Sequence, residues 1–471
     1  MIDTQEKTLS SYIYEAKERA ERKRAPQLLS WSKKIHPLEI IDVFREAKQM
    51  NQNRFFWMNH TNDFSFVGVG EAEIIETEDA TESRFHLIED KWQQVLSQAM
   101  VHNPYQQMGT GLTAIGGMAF DAQKQSTALW QNYPAGRLTV PAQMVVYSEE
   151  EYFYTVNCYV QPEDDVDKIM NNVRANEEQL LHSNKTEDDR SHQQILSKNE
   201  KDAEAWKESV DKAVQAIQDG EANKIVMARE MRIKLNRQAN VANILERLME
   251  TQPHSYIFAI EAGEDCFVGA TPERLVLLEA NRLLSTCLAG TAPRGETQEE
   301  DEAIQQELFN DEKNREEHAY VVQMIKESML PYCKDISIPE EPVLYPLRNL
   351  HHLYTPVTAT LLEGQSVFDV MKTLHPTPAL GGSPKSTALA FIRKEEKMDR
   401  GWYGAPVGWL DSNQNSEFAV AIRSGLVQQD EVSLFAGCGV MRDSVAEMEY
   451  EETNVKFLPM LQVLEEQDES Y

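Results

Sequence analysis

Near the C-terminus, the run EMEYEETNVK (447–456) sets Glu449, Glu452 and Lys456 on one face of a 3.6-residue helix. Two carboxylates with a cation one turn on can hold a hard metal ion beside an anionic ligand. A second acidic run, DEKNREEHAYVV (311–322), brings Asn314, Glu317 and His318 to one face, with an apolar stripe starting at Val321 and Val322. Taken singly, either run reads as a solvated charged face with i,i+4 pairs such as Lys313 to Glu317. Taken together they offer a more specific chemistry. Mg2+ takes oxygen ligands, keeps several waters and binds through one or two carboxylates plus substrate anions. Glu317 and Glu452, one from each helix, suffice for that.

Between the two runs lie segments rich in glycine, proline and aromatics: LAGTAPRG (288–295), LHPTPALGGSP (374–384) and DRGWYGAPVGWLD (399–411). Glycine at such density is costly in regular structure. With FAGCGV (435–440), these segments suggest backbone amides lining a small-molecule site. Arg423 interrupts the apolar EFAVAIRSGL (417–426), read here as one strand, and calls for an anionic partner.

The elements that must position these residues are those of a sizeable globular chain. Its 471 residues, 41% hydrophobic and 26% charged, can bury a large core. No apolar run approaches the roughly 20 residues that span a bilayer, and the N-terminus reads as a charged helix over 3–24 rather than a signal peptide. A net charge of −31 argues against nucleic acid or an anionic membrane as partner, and requires any anionic substrate to be held by local cations. The five cysteines are far apart, without a CxxC pair, which speaks against zinc and for a reducing cytoplasm.

Residues 1–160 read as an N-terminal lobe with strands in RFFWMNH (54–60), FSFVGVG (64–70), IGGMAFD (115–121), RLTVPAQMVVYS (137–148) and EYFYTVNCYV (151–160). The GG of IGGMAFD reads as a bulge or a site of tight packing. Residues 161–202 are polar and read as a connection, one amphipathic helix and then a loop. From 203 to 471, strands such as KIVMARE (224–230) mix with amphipathic helices. There is no repeat, and strand–helix alternation is too irregular for a parallel doubly wound sheet. The predicted class is α+β, with large antiparallel sheets.

VGATPERL (268–275), LAGTAPRG, LFNDEKNREEH (308–318), LHPTPALGGSP, RGWYGAPVGW, EFAVAIRSGL and FAGCGV…EYEETNVK occur in an order and spacing that resemble the chorismate-utilising enzymes across 203–460. RFFW, IGGMAFD and VPA extend the likeness, more weakly, to the first 200 residues. The resemblance implies two large antiparallel sheets packed face to face with helices outside. It implies Lys224 as the general base that activates the nucleophile and Glu273 as the general acid that protonates the departing hydroxyl. A lysine base must shed its proton near neutral pH, which calls for burial or neighbouring positive charge. Glu317 and Glu452 match the Mg2+ ligands, with Glu449 in or just outside the coordination shell. Thr291, His352, Tyr403, Arg423, Gly437, Gly439 and Lys456 match substrate-binding positions. On this reading Lys456 anchors the substrate instead of pairing with Glu452 along its helix.

Within the family, lysine at 224 implies water as nucleophile, since relatives that use ammonia carry glutamine there and need an amidotransferase partner. Ala379 in PALGG stands where lyase members carry threonine, which implies isochorismate rather than salicylate as product. The chain's length is that of menaquinone-type members. A siderophore-type isochorismate synthase, a salicylate synthase and an inactive chorismate-binding protein are the alternatives. No amidotransferase subunit is expected.

Overall fold

A computed structural model describes residues 8–181, 193–346 and 350–465. Two sheets dominate it, and among the described residues they hold 13 and 10 strands, counting Gly382–Ser383 and Val343–Pro346, which pair beside the main order. The larger runs from Ile195–Glu200 through Lys224–Leu235, Glu431–Val440, Ser424–Gln428, Asp265–Thr271 and Tyr256–Ala262. It continues through Arg54–Met58, Phe64–Val69, Gln143–Ser148, Glu151–Val160 and Gln27–Ile35 to Met100–His102. The smaller runs from Cys333–Ser337 through Leu350–Leu361, Arg282–Pro293, Arg274–Glu279, Ser416–Val420 and Pro406–Asp411 to Thr113–Met118, Gly136–Val140 and Glu73–Thr77. The architecture is α+β, with antiparallel ladders throughout except where Gln27–Ile35 meets Met100–His102.

Both sheets cross the expected boundary between N-terminal lobe and C-terminal region. Arg54–Met58 pairs with Tyr256–Ala262, setting Trp57 opposite Phe258, and Thr113–Met118 pairs with Pro406–Asp411, setting Gly116 opposite Gly408. The polar segment after residue 160 supplies helix Val166–Leu181 and the edge strand Ile195–Glu200, while 182–192 of the expected connection lie outside the described residues. The N-terminal helix spans Leu9–Lys23 and stops at Arg24, whose φ of 55° is left-handed; residues 3–7 of the predicted helix also lie outside the described residues.

Successive side chains of these largely buried strands point to opposite faces, and one face of each sheet packs against the other. Phe64, Phe66, Phe258 and Phe267 of the larger sheet pack with Ile115, Val407, Trp409 and Ala419 of the smaller. Phe64 and Trp409 meet at 4.8 Å between ring centroids, an arrangement worth ~0.5–1.5 kcal/mol beyond the area it buries. Helices cover the outer faces, as with Phe44, Leu245 and Met460 over the larger sheet and Trp92, Ile325 and Met371 over the smaller. IGGMAFD is tight packing, not a bulge. A Cβ on Gly116 would lie 1.9 Å from the Arg137 carbonyl, and one on Gly117 would lie 2.8 Å from Trp402.

Candidate active site

A cavity of about 630 Å3 opens between the ends of the two sheets and the helices Glu312–Met329 and Ala446–Leu464. Its wall carries Lys224, Glu273, Thr291, Glu317, His352, Ala379, Tyr403, Arg423, Gly437, Gly439, Glu452 and Lys456. Residues 232 positions apart in the chain therefore face one space, from Lys224 to Lys456.

Lys224 begins the strand Lys224–Leu235, whose neighbour Glu431–Val440 sets Gly439 opposite Val226. A Cβ on Gly439 would lie 2.6 Å from Lys224 Cε, so this glycine gives the lysine stem its room. On the other edge, Gly382–Ser383 of the PALGGSP segment pairs with Lys224 and Ile225. Gly382, at φ 117°, sits where a side chain would strike the Lys224 carbonyl. Lys224 Nζ donates to Glu317 Oε1 at 2.9 Å. The sequence reading asked for burial or positive charge around this amine, but its observed partner is a carboxylate 93 residues away, brought in by helix Glu312–Met329. Glu317 therefore pairs across the cavity instead of with Lys313.

That helix is fixed by its own residues. Asp311 caps it, accepting from Asn314 N at 2.7 Å. His318 is buried, its Nδ1 lying 3.0 Å from Ala289 O and its Nε2 2.7 Å from Thr355 Oγ1. Burial lowers the His318 pKa, so the ring is neutral, donating through Nδ1 and accepting through Nε2. The clamp orients Glu317, its chain neighbour, towards Lys224.

Glu273 follows Pro272 at the end of strand Asp265–Thr271, where the chain crosses to the smaller sheet at Arg274–Glu279. Burial pushes its carboxyl up to about 7, against the opposing pull of Lys224, Arg423 and Lys456. A carboxylic acid still half-protonated at neutral pH is suited to give a proton away. The cationic surroundings also suit a substrate that brings its own negative charge.

Arg423 departs from the expected single strand. It falls in a break between Ser416–Val420 and Ser424–Gln428, at φ 51°, and this kink turns its side chain into the cavity. Its Nη1 donates to the Lys456 carbonyl at 3.3 Å, and burial lowers its pKa. His352 lies 3.0 Å from Thr291 Oγ1 through Nδ1, and burial lowers its pKa to about 4, keeping the ring neutral. Tyr403 is buried below, its hydroxyl 3.4 Å from where a Gly437 Cβ would be.

Helix Ala446–Leu464 contains the acidic run. Lys456 Nζ donates to Gly437 O at 2.8 Å and pairs with Glu452 Oε1 at 2.6 Å. The expectation that Lys456 would leave Glu452 is corrected here, because i,i+4 spacing places the amine over the carboxylate one turn earlier. Glu449 does not line the cavity. Its Oε1 accepts from Ser444 Oγ at 2.6 Å, and its carboxylate faces the buried Cys438 thiol.

A model of the family described as chorismate binding enzyme matches residues 15–465. The chain belongs to the chorismate-binding enzymes. Isochorismate synthase MenF of Bacillus subtilis is 36% identical over 468 residues, covering 98% of this chain and 99% of that one. The salicylate biosynthesis isochorismate synthase of Pseudomonas aeruginosa is 32% identical over 442 residues, covering 93% and 90%. The solved structure of MenF, the menaquinone-specific isochorismate synthase from Escherichia coli, superposes with a TM-score of 0.77 at 22% identity, covering 96% of this chain and all of that one. That last likeness is one of fold.

The family is named for binding chorismate, a dicarboxylate, and the carboxylate oxygens on offer here suit a hard cation. Among the described residues no three Asp, Glu, His or Cys side chains gather closely enough to cage an ion. The donor set fits Mg2+ in its other mode, two carboxylates completed by substrate and water. Glu317 and Glu452 line the same cavity and each already holds a cationic partner, and Glu449 lies three residues before Glu452 on the same helix. Asn314, placed by helical period on the face of Glu317, also lines the cavity, as do Phe435 and Arg400, which sequence did not single out. Arg400 carried a signal. It is a charge followed directly by glycine and aromatic residues, Gly401, Trp402 and Tyr403.

Proposed function

We propose that this chorismate-binding enzyme is an isochorismate synthase of the menaquinone type, adding water at ring C2 of chorismate with loss of the C4 hydroxyl. The observation that carries this reading is that Lys224 and a proton-holding Glu273 line one cavity together with Arg423 and Lys456. The relatives named isochorismate synthase that align along nearly all of the chain support it.

Substitution with a double-bond shift needs a base and an acid on opposite sides of the ring. Lys224 Nζ, once parted from Glu317 and deprotonated, takes a proton from the attacking water. As the new C2–O bond forms, both ring double bonds shift by one position and the C4–O bond breaks, and Glu273 gives its proton so that the hydroxyl leaves as water. Arg423 and Lys456 attract the carboxylates of the substrate, while Tyr403, Thr291, His352 and the backbone at Gly437 and Gly439 shape the pocket. Glu317 and Glu452 would hold Mg2+, supplying positive charge to the ring carboxylate, with Glu449 supporting Glu452 from behind the wall. Ala379, small and apolar, offers the pyruvyl tail no hydrogen bond that would position it for elimination, which leaves isochorismate as the product.

The same reading places the enzyme in the cytoplasm, acting on a small molecule without an amidotransferase subunit. Its experimental check is Lys224→Ala. Turnover of chorismate should fall by at least ~100-fold, the scale of a general base, while chorismate binding measured by calorimetry stays within a few-fold. A rate like that of the unmodified enzyme would remove Lys224 from the mechanism.

A further inference from the structure

The strand that carries Lys224 lacks a strand neighbour along part of one edge. Its far side is laddered to Glu431–Val440 from Ile225 to Lys234. On the near side Gly382–Ser383 covers Lys224 and Ile225, and Ile195–Glu200 covers Met231 to Leu235. Among the described residues, 226–230 have no strand partner on that side, though their backbone is buried. Buried carbonyl and N–H groups demand partners.

Backbone meets two of these needs, with Val226 N donating to Gly381 O at 3.2 Å and Lys201 N donating to Glu230 O at 3.4 Å, and side chains meet others. Arg400 Nη2 donates to Val226 O at 2.8 Å, Glu396 Oε2 accepts from Ala228 N at 2.8 Å, and Trp206 Nε1 donates to Ala228 O at 3.0 Å. Arg400 and Glu396 also grip each other in a fork, Nε to Oε1 and Nη2 to Oε2, both at 2.7 Å. The third nitrogen of the guanidinium, Nη1, donates to Leu380 O at 3.0 Å, next to Ala379. Tyr403 N donates to Arg400 O at 2.8 Å, and the ring of Phe120 covers the guanidinium at 4.2 Å. The two side chains are 3% and 2% exposed, and every nitrogen of the guanidinium has a protein acceptor.

A buried ion pair is seldom a cheap source of stability, because removing both charges from water offsets their attraction. What a planar fork with fixed donors gives is geometry. Val226 and Ala228 lie two and four residues beyond Lys224, Leu380 follows Ala379, and Tyr403 is three residues beyond Arg400. The pair therefore joins the strand of the base to the loop bearing Ala379 and to the turn bearing Tyr403.

We propose that Glu396 and Arg400 are positioning residues, standing in for the missing strand so that Lys224 keeps a fixed place against the Ala379 and Tyr403 walls. The proposal rests on the reading of Lys224 as base. A misplacement of about 1 Å at such a group costs on the order of 100-fold in rate, so slack in this strap is felt in kcat before it is felt in binding.

The test uses the full-length enzyme with Arg400→Lys and Glu396→Gln, which keep side-chain bulk but break the fork. Steady-state kinetics on chorismate should show kcat lowered at least ~10-fold with KM within threefold. Hydrogen exchange should rise in peptides covering 224–230 and 379–383, and stay unchanged in those covering 265–271. The double variant Glu396→Arg with Arg400→Glu retains an ion pair but reverses donor and acceptor, and should not restore kcat even if it raises Tm above the single variants. Unchanged kcat in the folded single variants, or recovery of kcat in the reversed pair, overturns the proposal. Lowered kcat with unchanged exchange also overturns it, since Arg400 would then act on substrate directly. A full rate in Lys224→Ala would refute the base assignment while leaving the exchange result standing, so the two failures are told apart.

Discussion

Glu273 can serve as acid only while it holds a proton. Burial raises its carboxyl to about 7, so the protonated fraction is high below that pH and falls tenfold per unit well above it. The enzyme's kcat/KM should accordingly decline as pH rises through about 7, and Glu273→Gln should lose turnover and, with it, that limb of the profile. A flat profile from pH 6 to 9 would contradict the role. Gly439 makes a second residue-scale prediction. Gly439→Ala forces Lys224 Cε from a site 2.6 Å away, so kcat should drop at least ~10-fold while thermal melting stays cooperative. Wild-type kcat in that variant would show that the lysine stem has other room. At this scale the sequence offered residue types and a family pattern, enough to nominate Lys224 and Glu273. The pairing of Lys224 with Glu317 was not legible, because it joins residues 93 apart through tertiary packing that no local spacing encodes.

The two acidic helices show what each element adds. Helix Glu312–Met329 is held by His318, which bridges Ala289 and Thr355 and so aims Glu317. His318→Ala leaves buried polar partners unmet and should cost about 1–3 kcal/mol, read as a lower Tm, and should weaken the response to Mg2+. An unchanged Tm would show that the clamp is dispensable. Helix Ala446–Leu464 contributes Glu452, and Glu452→Gln should raise the Mg2+ concentration for half-maximal activity as it lowers the rate. An unchanged titration would assign the metal to another carboxylate. Helical period made both faces legible in sequence. The break at Arg423 was not, because its positive φ is imposed by the crossing between the two sheets and leaves no glycine to mark it. Gly116 and Gly117, by contrast, announced close packing, and their would-be Cβ contacts show why.

The molecule as a whole is built on sheets shared by both halves of the chain. Arg54–Met58 completes the sheet that holds Lys224, and Thr113–Met118 completes the one that leads to Thr291. That sharing ties the shape of the cavity to the first 160 residues, although those lining it lie between Lys224 and Lys456. Aromatic and β-branched runs gave away many of the strands, and their irregular order with the helices gave the α+β class. They did not give the order in which strands from distant segments join, since pairing partners are chosen by the aromatic layer between the sheets. At this scale too, charge is organised locally. A chain of net charge −31 gathers Lys224, Arg423 and Lys456 around one cavity, which suits a small dianion. The reaction carried out there can be read directly from its product. Incubation of the purified enzyme with chorismate and Mg2+, followed by chromatographic separation of the products, should yield isochorismate and no salicylate. Salicylate formed without an added lyase, or chorismate left unconverted, would contradict it.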